Sequence, residues 1–270
     1  MDYWKPVVKE RRIYMTLWTP THVQTLLPAI IVMLVIAFVL RKTLGKKDRK
    51  IRMIPFQFFS CVLVLLEIGK QGLSLYRGYD LYNLPFHFCS MLIFLPVTMA
   101  FYRGRHEKTI SCITTAVLAA VFILTAVYPD LIYSAQAVKE FTTNFFSFHT
   151  VAFHNVAMFL FVIVLALDLH EPTPRGETRK VLLFIFCYCV IGATMAHLLR
   201  TNFNNFYVCN IAPLESVRLS VEAVLGTTVT AIFYVMIVTA LDLSFVTGSY
   251  WFYRMIRKLL TRKTYCPFNQ

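Results

Sequence analysis

Two histidines, His87 and His154, lie a turn or more inside strongly apolar stretches of the chain. An imidazole in such a setting must find a hydrogen-bonding partner, and as the usual general base near neutral pH it is a first candidate for proton transfer. Other reactive or polar groups recur at helical spacing. Glu67 and Lys70 are three apart, Asn83 and His87 four apart, His197 and Arg200 three apart, and Glu215, Arg218 and Glu222 step by three and then four. Residues so spaced share one helix face. His149, His154 and Asn155 open a later apolar run, and Asn204 and Asn205 follow the one after it. In a reaction, Glu67 would orient an imidazole, while Arg200, Arg218 and Asn205 would hold a phosphate or a developing oxyanion. Asn83, Asn155, His197, Asn204 and Glu222 complete the candidate substrate contacts. Cys89 is a candidate nucleophile, although on a straight helix its two-residue offset turns it nearly opposite to His87 and makes Ser90 the better neighbour. No G-x-S-x-G, H-E-x-x-H, Walker or G-x-G-x-x-G motif is present. His87, His154 and His197 lack same-helix ligand spacing, so neither metal nor cofactor is expected.

The elements that position these groups follow from composition. Of 270 residues, 57% are hydrophobic and only 15% charged, against about 25% charged in soluble domains, and mean hydropathy is +0.60. That excludes a disordered chain, a disulfide-stapled secreted module and a soluble Rossmann or barrel enzyme. The net charge of +13 is spread over short stretches between apolar runs, which points to lipid headgroups and membrane orientation rather than nucleic acid. Seven runs reach the length of a transmembrane helix: His22 to Leu40, Ile51 to Ile68, Leu84 to Tyr102, Ile110 to Tyr128, Val151 to Leu167, Val181 to Leu199 and Val217 to Leu241. The expected fold is therefore an all-α polytopic bundle of seven spans. About two thirds of the 27 Lys and Arg fall in the first, third and fifth connections and the tail. The positive-inside rule then sets the N-terminus outside and the C-terminus in the cytoplasm.

This divides the chain into an interfacial segment 1–21, a transmembrane domain 22–241 and a basic amphipathic tail 242–270, in which Trp251, Phe252, Met255, Ile256, Leu259 and Leu260 alternate with Arg254, Arg257 and Lys258. Nothing in the sequence bears on the oligomeric state. His22 reads as interfacial, and His106 and His170 as solvated loop residues. Several polar groups have structural alternatives. Glu215, Arg218 and Glu222 form either an intrahelical ion-pair set or a substrate contact, Lys70 can snorkel, and Asn83 can cap a helix that has Pro85 in its first turn. On this topology the polar groups collect in the outer half, and helices with polar faces at one depth turn them toward each other around a water-accessible cavity.

The run Leu84-Pro85-Phe86-His87-Phe88-Cys89-Ser90 resembles the L-P-x-H-x-C-S signature of the YwaF-like family of bacterial multi-pass membrane proteins. Looser agreement extends to Leu66-Glu67, the Phe145 to Asn155 region and Asn204-Asn205-Phe206-Tyr207. That family is similar, more distantly, to a eukaryotic transmembrane acyltransferase that moves fatty acyl groups between phospholipids without coenzyme A. The resemblance implies a seven-helix acyl transferase of the cell membrane, with His87 and His154 carried over. It does not carry over the nucleophilic cysteine, which those enzymes place where this chain has Phe86. The expected activity is acyl transfer on a phospholipid or lipid-linked substrate. The alternative is a non-enzymatic binding or transport protein for a small polar or lipid ligand. Transport would extend polar residues through the inner half, where the sequence offers chiefly Gln57 and Asp168.

Overall fold

The computed structural model describes residues 18–132, 134–173 and 176–262, so most of segment 1–21 and the end of the tail lie outside the described residues. It is helical throughout: α1 (Pro20–Leu44), α2 (Arg49–Tyr76), α3 (Met91–Phe101), α4 (Glu107–Val127), the short α5 (Pro129–Ile132) and α6 (Ala135–Lys139), α7 (Phe145–Ala166), α8 (Glu177–Leu199), α9 (Ala212–Leu225) and α10 (Thr227–Arg262). Six of these helices, α1, α2, α4, α7, α8 and α10, are long and apolar enough to cross a membrane.

Two of the seven expected spans are corrected. The third shrinks to α3, whose 11 residues rise about 16 Å, roughly half of a bilayer core. The remainder of that apolar run, with Pro85 and an extended His87 (φ −76°, ψ 150°), is not α-helical. The seventh, Val217 to Leu241, is cut at Gly226, whose φ of +80° lies in the left-handed region. On one side of the break is α9, 14 residues long, about 21 Å and too short to cross. On the other, α10 runs unbroken through 242–262. Tyr250 and Tyr253 turn into the core there because their hydroxyls find partners, Glu177 Oε2 at 2.5 Å and the His170 carbonyl at 2.6 Å.

α4 is the axis of the bundle, packing on α3, α7, α8 and α10. Residues 111–121 are buried all round, and the small Ser111, Thr114, Thr115, Ala116, Ala119 and Ala120 let neighbouring helices approach closely. One end of the bundle gathers the basic connections. There Arg41 and Arg52 donate to the Ala166 and Leu167 carbonyls, Arg49 pairs with Glu107, and Arg257 donates to the His170 carbonyl. His170 is therefore not solvated. It is buried, with Nδ1 3.1 Å from Ser111 Oγ and Nε2 3.0 Å from the Tyr250 hydroxyl. His22 is buried as well; it completes the N-terminal cap of α1 with Thr19 and lies 3.9 Å from Asp130. The opposite end carries segments 77–90, 127–132, 134–145 and 200–226.

Candidate functional site

Segment 77–90 folds back along α2 instead of leaving the bundle, and the sequence supplies the reason. α2 presents Glu67, Gln71 and Ser74 on one face. Gln71 Nε2 donates to Glu67 Oε1 at 2.6 Å and to the Asn83 carbonyl at 2.8 Å, and the Tyr79 hydroxyl donates to Gln71 Oε1 at 2.7 Å. Asn83 Nδ2 reaches Ser74 Oγ at 2.9 Å, and the Asp80 carboxylate accepts from the Tyr82 amide. Asn83 is thus a tether to α2 and does not cap an α-helix. Gly78, at φ +88°, makes the reversal after α2.

The fold-back leaves an open cavity of about 630 Å³ between α2, the start of α3 and α7, with Leu131 and Ile132 of α5 also lining it. His87, His154, Glu67, Cys89 and Asn83 all line it, together with Lys70, Arg77, Ser90, His149, Ile93 and Phe153. Residues 83–90 of this segment are half-buried or buried, while Arg77, Gly78, Asp80, Leu81 and Tyr82 are exposed. The straight-helix argument that set Cys89 opposite His87 fails here. His87 is extended and Phe88–Ser90 is a 3₁₀ turn, so both residues reach the same void.

Carbonyl acceptors fix the tautomers. His87 Nε2 is 2.9 Å from the Tyr82 carbonyl, so it carries the proton and Nδ1 the lone pair. His154 Nδ1 is 2.7 Å from the Thr150 carbonyl, which makes Nε2 the basic atom. The imidazole that Glu67 orients is neither of these. Glu67 Oε2 lies 3.2 Å from His149 Nε2, and Oε1 lies 2.7 Å from Lys70 Nζ. His149 also stacks on Phe153, whose ring is edge-on to His154.

The remaining sequence candidates lie elsewhere. Asn155 donates back to the Val151 carbonyl at 2.8 Å. His197 is exposed against the Tyr207 ring, and Arg200 is exposed at the end of α8. Arg218 spans Glu215 at 2.6 Å and Glu222 at 2.8 Å, the intrahelical ion-pair alternative. Asn204 and Asn205 belong to a second turn, Phe203–Asn205, with φ of +50° and +60°. Asn204 Nδ2 donates to Asp242 Oδ2 at 2.6 Å, and the Tyr234 hydroxyl donates to the Asn205 carbonyl at 2.7 Å. This turn wedges the Phe203 ring 5.3 Å from that of His87, and from the other side the Tyr188 hydroxyl donates to the His87 carbonyl at 2.5 Å. Gly192 makes room: a Cβ there would stand 3.3 Å from the Phe206 ring and 3.6 Å from the Phe86 carbonyl. Asp242 is the residue sequence reasoning passed over, and His149, noted there only as opening an apolar run, is the imidazole that meets Glu67. Asp242 is an acid in the middle of an apolar helix, a signal the expected span ending at Leu241 hid.

Among the described residues, the donor atoms close enough together for a metal are those of Cys112, His170 and Glu177, within 4.8 Å of one another at the basic end. The Tyr250 hydroxyl already bridges His170 and Glu177 there. The cluster is thus a closed hydrogen-bonded lock joining α4, α8 and α10.

A polytopic helical membrane protein with a polar cavity beside non-helical turns is the class these features define. No curated protein and no solved structure matches the chain. A family model does, over residues 17–241, and the chain belongs to the TMEM164 family. That is a transmembrane family, and TMEM164 is the name the match gives in place of the YwaF-like one.

Proposed function

We propose that the protein transfers an acyl group from a phospholipid to a second phospholipid-derived or lipid-linked acceptor, in the cell membrane, with the His87–His154 cavity on the outer side and the basic end in the cytoplasm. The observation that carries this reading is that two imidazoles with defined tautomers share one amphipathic cavity inside an apolar bundle.

Ester exchange needs a base for the incoming hydroxyl, a proton for the departing one and a water-poor site. His87 Nδ1 takes the proton of the acceptor hydroxyl as its oxygen attacks the donor carbonyl carbon. The tetrahedral oxyanion collapses, the donor's ester bond breaks, and the leaving lysolipid alkoxide takes the proton back from the imidazolium. One ester is lost and one formed, so no redox partner or coenzyme enters. The tautomer of His154 suits it as a second proton acceptor rather than as the neutral oxyanion donor. Cys89 is the alternative nucleophile, through a thioester formed and broken by the same two proton transfers. The apolar packing of Val117, Leu118, Leu160, Phe161 and Ile163 below the cavity favours a one-sided pocket over a transport path.

The test is to incubate purified protein with phosphatidylcholine labelled in its acyl chain and with unlabelled lysolipid acceptors. Labelled diacyl product from wild type, formed about 10²–10⁴ times more slowly with His87→Ala and with His154→Ala, is the expected result. Failure of wild type on every acyl donor tried overturns the proposal.

A further inference from the structure

We infer that Arg77 is the group of the cavity that binds the phosphate of the lipid substrate proposed above. This assignment rests on the acyl-transfer reading for its reaction and its lipid but not for its binding chemistry.

Four charged residues line the cavity: Glu67, Lys70, Arg77 and Asp80. Lys70 is committed to Glu67 at 2.7 Å, and Asp80 accepts the Tyr82 amide. Among the described residues no carboxylate stands within ion-pair distance of Arg77. Its guanidinium carbon instead lies 5.9 Å from the Phe146 ring centroid, a contact that orients the planar fork while leaving N–H donors for an anion. Arg77 also follows the last turn of α2, where the helix dipole favours a cation. Ile93, Leu131, Ile132 and Phe153 give the lining an apolar stretch beside polar residues such as Ser74, Asn83, Ser90 and Thr150. A charged mouth above an apolar wall fits an amphiphile, and a planar guanidinium matches phosphate in two parallel hydrogen bonds. The cavity volume of about 630 Å³ is that of a small-molecule site, enough for a headgroup and ester region while the tails stay in the bilayer. Arg200 and Arg218, the cations that spacing nominated, lie outside it, and Arg218 is neutralised by Glu215 and Glu222.

The experiment compares, for the purified full-length protein, binding of fluorescent lysophosphatidylcholine and of a monoacylglycerol with the same chain, with glycerol 3-phosphate and inorganic phosphate as competitors. Wild type is expected to prefer the phosphate-bearing lipid. Arg77→Gln should lose about tenfold in affinity for it with monoacylglycerol binding unchanged, and Arg77→Lys should recover part of the loss. Unchanged monoacylglycerol binding shows that the variant is folded. Equal preference in wild type and Arg77→Gln overturns the assignment, and inorganic phosphate competing as well as the lysolipid overturns the lipid ligand. Wild type that shows the preference yet transfers no acyl group removes the proposed reaction and leaves Arg77 as the phosphate subsite.

Discussion

At the residue scale the cavity separates groups that react from groups that hold. A lost proton acceptor lowers the rate by about 10²–10⁴, so His87→Ala and His154→Ala should each lower turnover by about that factor, to a rate still measurable, without lowering Tm. Glu67→Gln should act differently. It removes the charge that His149 and Lys70 share and leaves a partly buried ammonium short of its counter-ion, so its expected signature is a lower Tm, read by a thermal melt, together with lower activity. The buried His170 makes a pH prediction. Desolvation, outweighing the pull of Glu177, pushes its pKa down to about 4 from the ordinary 6.5. The unfolded chain therefore binds the proton first. Stability from this group is fully present above pH 6.5 and is lost as pH falls toward 4. Tm measured across that window should decline in wild type and decline less steeply in His170→Asn; equal slopes would contradict the assignment.

At the element scale, long helices were legible in the sequence and the irregular turns were not. Hydropathy averages over some 20 residues, so Leu84 to Tyr102 reads as one span although Pro85 and the extended His87 leave only half of it α-helical. The same averaging hid the break at Gly226 and made Asp242 look like the start of a tail. Glu67, Asn83, His87, Cys89 and His154 do line the cavity because their own elements surround it, although Asn83, His87 and Cys89 arrive on backbone that is not α-helical. Helical spacing failed for Arg200, Arg218, Asn204 and Asn205, since sharing a face says nothing about which neighbour that face meets. Substitutions at two positions probe the turn Phe203–Asn205. Gly192→Leu should push Phe206 and the Phe86 backbone from α8 and lower kcat. Asp242→Leu should do the same by releasing Asn204, whereas Asp242→Asn keeps an acceptor for its amide and should retain most activity. If Asp242→Leu and Asp242→Asn had the same kcat, the tether would be irrelevant to His87.

At the scale of the whole molecule the two ends of the bundle differ in kind. The basic end is locked by Ser111, His170, Tyr250 and Glu177 and by arginines donating to helix-end carbonyls. The other end carries the breaks, the strained asparagines and the cavity. Rigid packing around α4 thus supports a site assembled from irregular backbone, and composition alone foretold the membrane bundle but not this division of labour. The alternation of basic connections was legible because charge is read directly from the chain; the position of the cavity needed the turns.

The most direct test of the account is a double-mutant cycle on acyl-transfer rate with His87→Ala, His154→Ala and the two together. Groups that serve one reaction in one cavity act as a unit, so the double variant should be no slower than the worse single variant. Penalties that add in full, or transfer that survives in the double variant at the wild-type rate, would contradict a shared catalytic site.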